Sequence, residues 1–183
     1  MRECIEPVTV QFCRRHAQAL AQAGVAPTIQ RTDPPAFACR LRGSAYYWMY
    51  DLANAQADLD KALELDPQDA EALGMLALLA AETNQAEVLT SAAERASLQA
   101  AKTAPGLMAQ AAAATYNYDE ATARLLLDEA IALAPERPEL YILRSDTYTS
   151  SVGEAAWFAD LDTALGLDPD LRMLRSALGY KYL

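Results

Sequence analysis

Apolar and polar positions along this chain follow the spacing of helices. In residues 8–23, Val10, Cys13, Ala17 and Leu20 form one apolar stripe while arginine and glutamine occupy other positions, which predicts an amphipathic helix. No long alternation of valine, isoleucine and threonine occurs, and this argues against a sheet. Further helices are predicted at residues 35–49, 53–65, 70–82, 105–115, 118–134 and 154–167, and another after residue 82 is predicted to run past residue 101.

One stretch of the chain occurs three times. Residues 57–67 read ADLDKALELDP, residues 159–169 read ADLDTALGLDP, and residues 125–135 read LLLDEAIALAP. The middle copy starts 68 residues after the first copy, and the last copy starts 102 residues after the first copy. These distances are two and three times 34. A fixed period of this length is the signature of helix–turn–helix repeats that stack into a solenoid.

Small residues, prolines and polar caps set the frame of the repeat. The 27th residue of each unit is alanine and the eighth is always small, as expected where two helices pack about 8–10 Å apart. Pro67, Pro135 and Pro169 end the second helix of three units, because proline cannot continue a helix. Asp69 and Thr103 are predicted to cap the helices that follow them.

In this frame the chain resembles the tetratricopeptide repeat family. The family pattern has glycine and tyrosine in the first helix, followed by alanine, an aromatic residue, alanine and proline. The first unit matches at Gly43, Tyr46, Ala55, Ala62 and Pro67. The chain departs from the pattern where leucine is expected in the first helix, since three units carry Arg42, Gln110 and Arg144 there.

The resemblance implies an all-α fold, a right-handed α-solenoid of helix–turn–helix repeats with capping helices at both ends. The implied domains are an N-terminal capping helix and proline-rich linker at 1–35, four repeats at 36–69, 70–103, 104–137 and 138–171, and a C-terminal capping helix or half-repeat at 172–183. The last segment has two interpretations, a cap or the start of a longer array that has been cut.

Charge narrows the range of partners. The net charge is −10, and it is unevenly spread, because residues 1–42 carry +3 (six bases, three acids) and residues 43–183 carry −13 (nine bases, twenty-two acids). Such an acidic chain repels phosphate backbones, so nucleic acid is excluded as a partner. The acid excess is interpreted as a solvated surface, and the alternative is a preference for basic partners.

Candidate chemistry is sparse. The single histidine, His16, leaves one base for any catalytic triad, and no glycine-rich phosphate loop occurs. Asp58 with Asp60, and Asp160 with Asp162, are two residues apart and are interpreted as solvated helix surface. The sequence therefore predicts no enzyme activity and no cofactor.

Three cysteines, Cys4, Cys13 and Cys39, are interpreted as reduced and partly buried thiols, and a disulfide is the alternative. No paired-cysteine motif supports a metal site. No signal peptide and no run of eighteen apolar residues occur, so we expect a cytoplasmic protein without a membrane partner.

The family resemblance implies that the first helices line a concave groove that commonly receives a peptide. We expect Tyr47 and Trp48 to anchor an apolar extended segment and Arg40 to contact an acid on it. The residues predicted to bind a partner are Phe37, Arg40, Ser44, Tyr47, Trp48, Leu78, Met108, Tyr116, Ile142 and Asp146. In a competing interpretation, the N-terminal arm at 1–42 occupies this groove in the free protein.

The predicted function is a protein–protein interaction scaffold that binds a peptide or extended segment of a partner, as a co-chaperone or assembly factor does. The alternative is a structural protein that self-associates, as a homodimer for example, through its aromatic first repeat or its open C-terminal end.

Overall fold

A computed structural model describes residues 35–148 and 154–169 of the chain. These residues form helices and turns, with no strand among them, so the predicted all-α fold class is confirmed. The helices are α1 (Ala36–Trp48), α2 (Leu52–Leu65), α3 (Ala70–Glu82), α4 (Ala86–Ala100), α5 (Ala104–Tyr116), α6 (Glu120–Leu133), α7 (Pro138–Ser145) and α8 (Glu154–Leu167). The predicted helices at 8–23 and 172–183 lie outside the described residues. The predicted repeat boundaries stay predictions.

The chain divides into two compact units, Met1–Ala72 and Leu73–Leu183. In the first unit α1 packs on α2. Cys39, Ala55, Leu59 and Ala62 have no solvent exposure, and they form the core between the two helices. Gly43 lies on this seam, where a Cβ atom would be 3.0 Å from the Leu59 Cγ atom. The close approach explains the small residue at the eighth position of this repeat.

In the second unit, helices that are neighbours in sequence pack on each other: α4 on α5, α5 on α6, α6 on α7, and α7 on α8. The side chains that carry this core are buried leucines and alanines, among them Leu89, Leu107, Ala111, Leu127, Ala130, Leu140, Leu161 and Ala164. Packing between successive helices is the arrangement expected of a repeat protein. Residues 72–80 of α3 are buried without interruption, so this helix is covered around its circumference.

Two predicted helix caps are confirmed. The Oδ1 atom of Asp69 accepts hydrogen bonds from the N–H groups of Glu71 at 3.0 Å and Ala72 at 3.1 Å. The Thr103 hydroxyl accepts from the N–H group of Gly106 at 3.4 Å, with proline in the first turn of α5. Both caps satisfy N–H groups that a helix start leaves without partners.

The prediction for the end of α4 is wrong. The helix ends at Ala100 and does not run past residue 101. Thr103 explains the difference, because its hydroxyl also donates to the Ala100 carbonyl oxygen at 2.8 Å and holds the chain in a turn. The next helix then passes close by, since a Cβ atom at Gly106 would lie 1.9 Å from the same Ala100 oxygen.

Helix α7 is much shorter than the other first helices of the repeats. The Ser145 hydroxyl donates to the Ile142 carbonyl oxygen at 2.6 Å, and the Thr147 hydroxyl donates to that of Arg144 at 2.7 Å. Arg124 of α6 donates to the Thr147 carbonyl oxygen at 2.6 Å. Side-chain partners thus replace the helical hydrogen bonds, and the helix ends at Ser145.

The interpretation of the acid pairs is wrong for one member of each pair. Asp58 is 8% exposed and Asp160 is 4% exposed, so both are buried and not part of the solvated surface. Arg42 donates to Asp58 through Nε at 2.5 Å and Nη2 at 2.6 Å. Arg144 donates to Asp160 through the same atoms at 2.8 Å and 2.6 Å. Each of these two arginines is therefore matched by an aspartate on the helix that follows it.

Candidate functional site

The predicted binding residues fall into two sets, one in each compact unit. The first set lies on α1. At about 100° per residue, its members share one arc of the helix, about 100° wide, next to the stripe that buries Cys39 and Gly43. All of them are half-buried, so each presents part of its surface to solvent: Phe37, Arg40, Ser44, Tyr47 and Trp48. We call this arc the α1 surface.

Two aromatic rings form the apolar part of the α1 surface. The rings of Tyr47 and Trp48 meet edge to face, with centroids 5.1 Å apart and an interplanar angle of 83°. This arrangement is favoured by the ring quadrupoles, and it restricts the movement of both side chains. A partner that packs on these rings therefore meets a surface that is already ordered.

Arg40 is the charged group of the α1 surface. Its Nε atom donates to the Oδ2 atom of Asp69 at 2.8 Å, and the two side chains are 23% and 13% exposed. Asp69 is itself fixed, because its other oxygen caps α3. The ion pair orients the guanidinium group, and among the described residues Arg40 makes no other side-chain hydrogen bond. The Nη atoms of Arg40 can therefore reach a second acceptor.

The second set of predicted residues lies in the second unit, and two of its members are buried. Leu78 on α3 is 5% exposed and Met108 on α5 is fully buried. The Met108 Cε atom would lie 2.8 Å from a Cβ atom at Gly74, so Met108 fills the space between α3 and α5. Both side chains contact protein and not solvent in this structure. Their role in partner binding stays a prediction.

Tyr116 and Ile142 are half-buried and have partners within the unit. The Tyr116 hydroxyl donates to the Oδ1 atom of Asn84 at 2.7 Å and links the end of α5 to the turn that follows α3. Ile142 packs, with Trp157, against the cluster of Leu161 and Ala164 between α7 and α8.

Asp146 is the charged member of the second set. It is the C-cap of α7 and is exposed, whereas the repeat frame places it inside the helix. Although part of Asp146 is exposed, the protein around its carboxyl group displaces water, and this desolvation, followed by the charge of the Glu82 carboxylate, raises the pKa of Asp146 to about 6. An acid with this pKa is partly protonated just below neutral pH.

The described residues contain no group of three or more histidine, cysteine or acidic side chains that could hold a metal ion. The Cys39 thiol is buried, and burial followed by the nearby Asp58 carboxylate raises its pKa, so the thiol form is favoured. Cys4, Cys13 and His16 lie outside the described residues. No helix among the described residues is long and apolar enough to cross a membrane.

The sequence interpretation missed the partners of the charged residues. It placed Arg40 at the surface without its ion pair to Asp69, and it did not connect Arg42 with Asp58 or Arg144 with Asp160. The sequence contains a signal for the last two pairs: residue 7 of the 34-residue unit is arginine and residue 23 is aspartate in both the first and the fourth unit. In the second unit the same positions hold Leu76 and Ala92.

Comparison with known proteins identifies the fold. No family model matches the sequence, and no curated protein matches it. Among solved structures, PilF of Pseudomonas aeruginosa is 22% identical over 80% of this chain and 68% of that chain, with a TM-score of 0.52. YrrB, described as a TPR protein with an unusual peptide-binding site, is 19% identical over 81% of this chain and 75% of its own, with a TM-score of 0.47. MamA is 13% identical over 88% of this chain and 97% of its own, with a TM-score of 0.42.

Proposed function

We propose that this chain, which has the tetratricopeptide repeat fold, is a protein–protein interaction scaffold that binds an extended segment of a partner protein on the α1 surface. One observation carries the proposal: an ordered pair of aromatic rings lies on the same arc of α1 as an oriented guanidinium group. Aromatic and arginine side chains dominate measured binding hot spots, because they bury a large area and keep a polar group. We place the protein among co-chaperones or assembly factors, and its cytoplasmic location stays a prediction.

The chemistry of the α1 surface defines the segment that it would bind. Phe37, Tyr47 and Trp48 offer apolar area, and the Arg40 Nη atoms offer hydrogen-bond donors to an acid. Asp69 already neutralises part of the Arg40 charge, so the contact with a second acid depends on hydrogen-bond geometry more than on net charge. We therefore expect an extended segment that is mainly apolar and carries one acidic residue.

Self-association is the second candidate function. Exposed leucines in the second unit favour it, since Leu98, Leu125 and Leu133 are 87%, 71% and 54% exposed. If these leucines lie on one surface, they offer apolar area to a second copy of the chain. Sedimentation velocity over a hundredfold range of concentration separates the two candidates, because a scaffold for other proteins sediments as a monomer throughout.

The proposal is tested by placing a photo-crosslinking amino acid at Ser44, at the centre of the α1 surface. The variant is irradiated in lysate of the source cells, and the matched control carries the same group at Leu98, outside this surface. We expect a defined crosslinked protein from position 44 that is absent from position 98 and is lost when Tyr47 and Trp48 are both replaced by alanine. Identical products from both positions would contradict the proposal.

A further inference from the structure

The turn between α5 and α6 presents an aromatic ring to solvent. Tyr118 is 86% exposed, the highest value of any aromatic side chain among the described residues. Among the described residues, the Tyr118 side chain makes no hydrogen bond and no ring contact, although the backbone N–H group of Tyr118 donates to the Thr115 carbonyl oxygen at 3.0 Å. The ring therefore contributes nothing visible to the packing of the second unit.

The backbone at Tyr118 makes this exposure informative. Its φ angle is 60°, in the left-handed region where a bulky L-residue is disfavoured. The corresponding position of the preceding repeat holds Asn84, with a φ angle of 57°, and asparagine tolerates this conformation far better. A tyrosine that is unfavourable for the backbone and unused by the fold points to a role outside the fold.

The first unit repeats the sequence pattern and the backbone conformation of this turn. Trp48-Met49-Tyr50-Asp51 and Tyr116-Asn117-Tyr118-Asp119 share an aromatic residue, a spacer, a tyrosine and an aspartate, 68 residues apart. Tyr50 also has a φ angle of 60° and is 61% exposed. In both turns the aspartate caps the next helix. The recurrence ties the left-handed tyrosine to a neighbouring carboxylate.

The charges beside Tyr118 indicate what the ring would bind. Asp119 accepts a hydrogen bond from the Thr122 N–H group at 3.1 Å, and its hydrogen bonds with Thr122 lower the pKa of Asp119. The carboxylate is thus ionised and held at the turn, and Glu120 adds a second acid in the first turn of α6. An exposed aromatic ring that is followed in sequence by two acidic residues can attract a guanidinium or ammonium group through cation–π and Coulomb interactions.

We propose that Tyr118, together with Asp119 and Glu120, is a docking point for an arginine- or lysine-bearing segment of a partner protein. It differs from the α1 surface in its residues and in the charge that it selects. The net charge of −13 over residues 43–183 favours the approach of such a segment. The docking point stands whether or not the α1 surface binds a partner.

The probe for the experiment is a peptide of alternating arginine and glycine, blocked at both ends, and its control has citrulline in place of each arginine. Binding is followed by the NMR shifts of the backbone amide groups of residues 115–122, which every variant retains. For Tyr118→Asn we expect about threefold to tenfold weaker binding of the arginine peptide. The same variant should melt about 2–4 °C higher, because asparagine relieves the left-handed backbone. For Tyr118→Phe we expect binding within about twofold of the original protein, since the ring is kept.

Two further variants sharpen the test. Asp119→Asn keeps a side-chain oxygen for the helix cap and removes the charge, so it should weaken binding without lowering the melting temperature. Leu65→Ser changes an exposed leucine that belongs to neither candidate surface and should leave binding unchanged. Unchanged affinity in Tyr118→Asn, or equal binding of the citrulline peptide, would overturn the proposal.

Discussion

Replacing Arg144 by leucine should be the most damaging single change in the fourth repeat. The Asp160 side chain is 6% exposed and accepts two hydrogen bonds from Arg144, at 2.8 Å and 2.6 Å. Without the arginine, a buried carboxylate loses both its charge partner and its donors. Breaking a buried pair in this way costs about 3–5 kcal/mol of unfolding free energy.

Removing Asp160 in place of Arg144 should cost less unfolding free energy. In Asp160→Ala the remaining Arg144 is 21% exposed and keeps its hydrogen bond to Asp128 at 2.6 Å, so it stays solvated and paired. We expect a loss of about 1–2 kcal/mol. The double variant Arg144→Leu with Asp160→Ala reproduces Leu76 and Ala92, which occupy the same positions in the second repeat. It should lie within about 1 kcal/mol of the original protein, because no buried charge remains.

Urea denaturation, followed by circular dichroism at the helical band, gives the unfolding free energy of the original protein, the two single variants and the double variant. The double-mutant cycle built from these four values gives the coupling energy between Arg144 and Asp160. Arg42 and Asp58 provide the matched pair in the first repeat. The reasoning is refuted if Arg144→Leu unfolds within about 0.5 kcal/mol of the original protein, or if the double variant is no more stable than Arg144→Leu.

Two further predictions concern one backbone contact and one titrating group. In Gly106→Ala the new Cβ atom would lie 1.9 Å from the Ala100 carbonyl oxygen, so thermal melts should show a loss of about 2–3 kcal/mol of unfolding free energy. In the control Gly166→Ala, where the new Cβ atom would have no atom within 4 Å, the unfolding free energy should rise by about 0.5–1 kcal/mol. Unchanged stability of Gly106→Ala would contradict the close approach of the two helices. The pKa of Asp146 is raised from 3.8 to about 6 in the folded protein, so ionisation of Asp146 lowers the stability as the pH rises from about 4 to 6. The variant Asp146→Asn should therefore be more stable than the original protein at pH 7 but not at pH 4. An equal stability difference at both pH values in thermal melts would contradict this prediction.

The helices could be predicted from the sequence because their ends carry local signals. Asp69 and Thr103 cap the helices predicted to follow them, and the bounds of α3 and α8 agree with the predicted ones. The end of α4 was missed because it depends on a hydrogen bond from Thr103 back to the Ala100 carbonyl oxygen, which no propensity scale contains. The early end of α7 has the same origin in side-chain hydrogen bonds.

The candidate site was harder to predict, because a repeat frame gives the position of a residue but not its contacts. The frame placed Leu78 and Met108 in an open groove, yet both are buried among neighbouring helices. The burial of Asp58 and Asp160 beside arginines was missed although the frame repeats the arginine and the aspartate, because the paired residues lie sixteen residues apart on different helices. The arc shared by Arg40 and Tyr47 on α1, in contrast, follows directly from helical spacing.

The central claim is that the α1 surface binds an extended partner segment, and its most direct test is one affinity measurement. A peptide is selected by display on the original protein, and its affinity is measured by calorimetry for that protein and for Tyr47→Ala with Trp48→Ala. If the two rings are hot spots, the double variant should lose at least about 2 kcal/mol, or roughly 30-fold, with its circular dichroism unchanged. An unchanged affinity in the folded double variant would contradict the claim and move the binding surface away from α1.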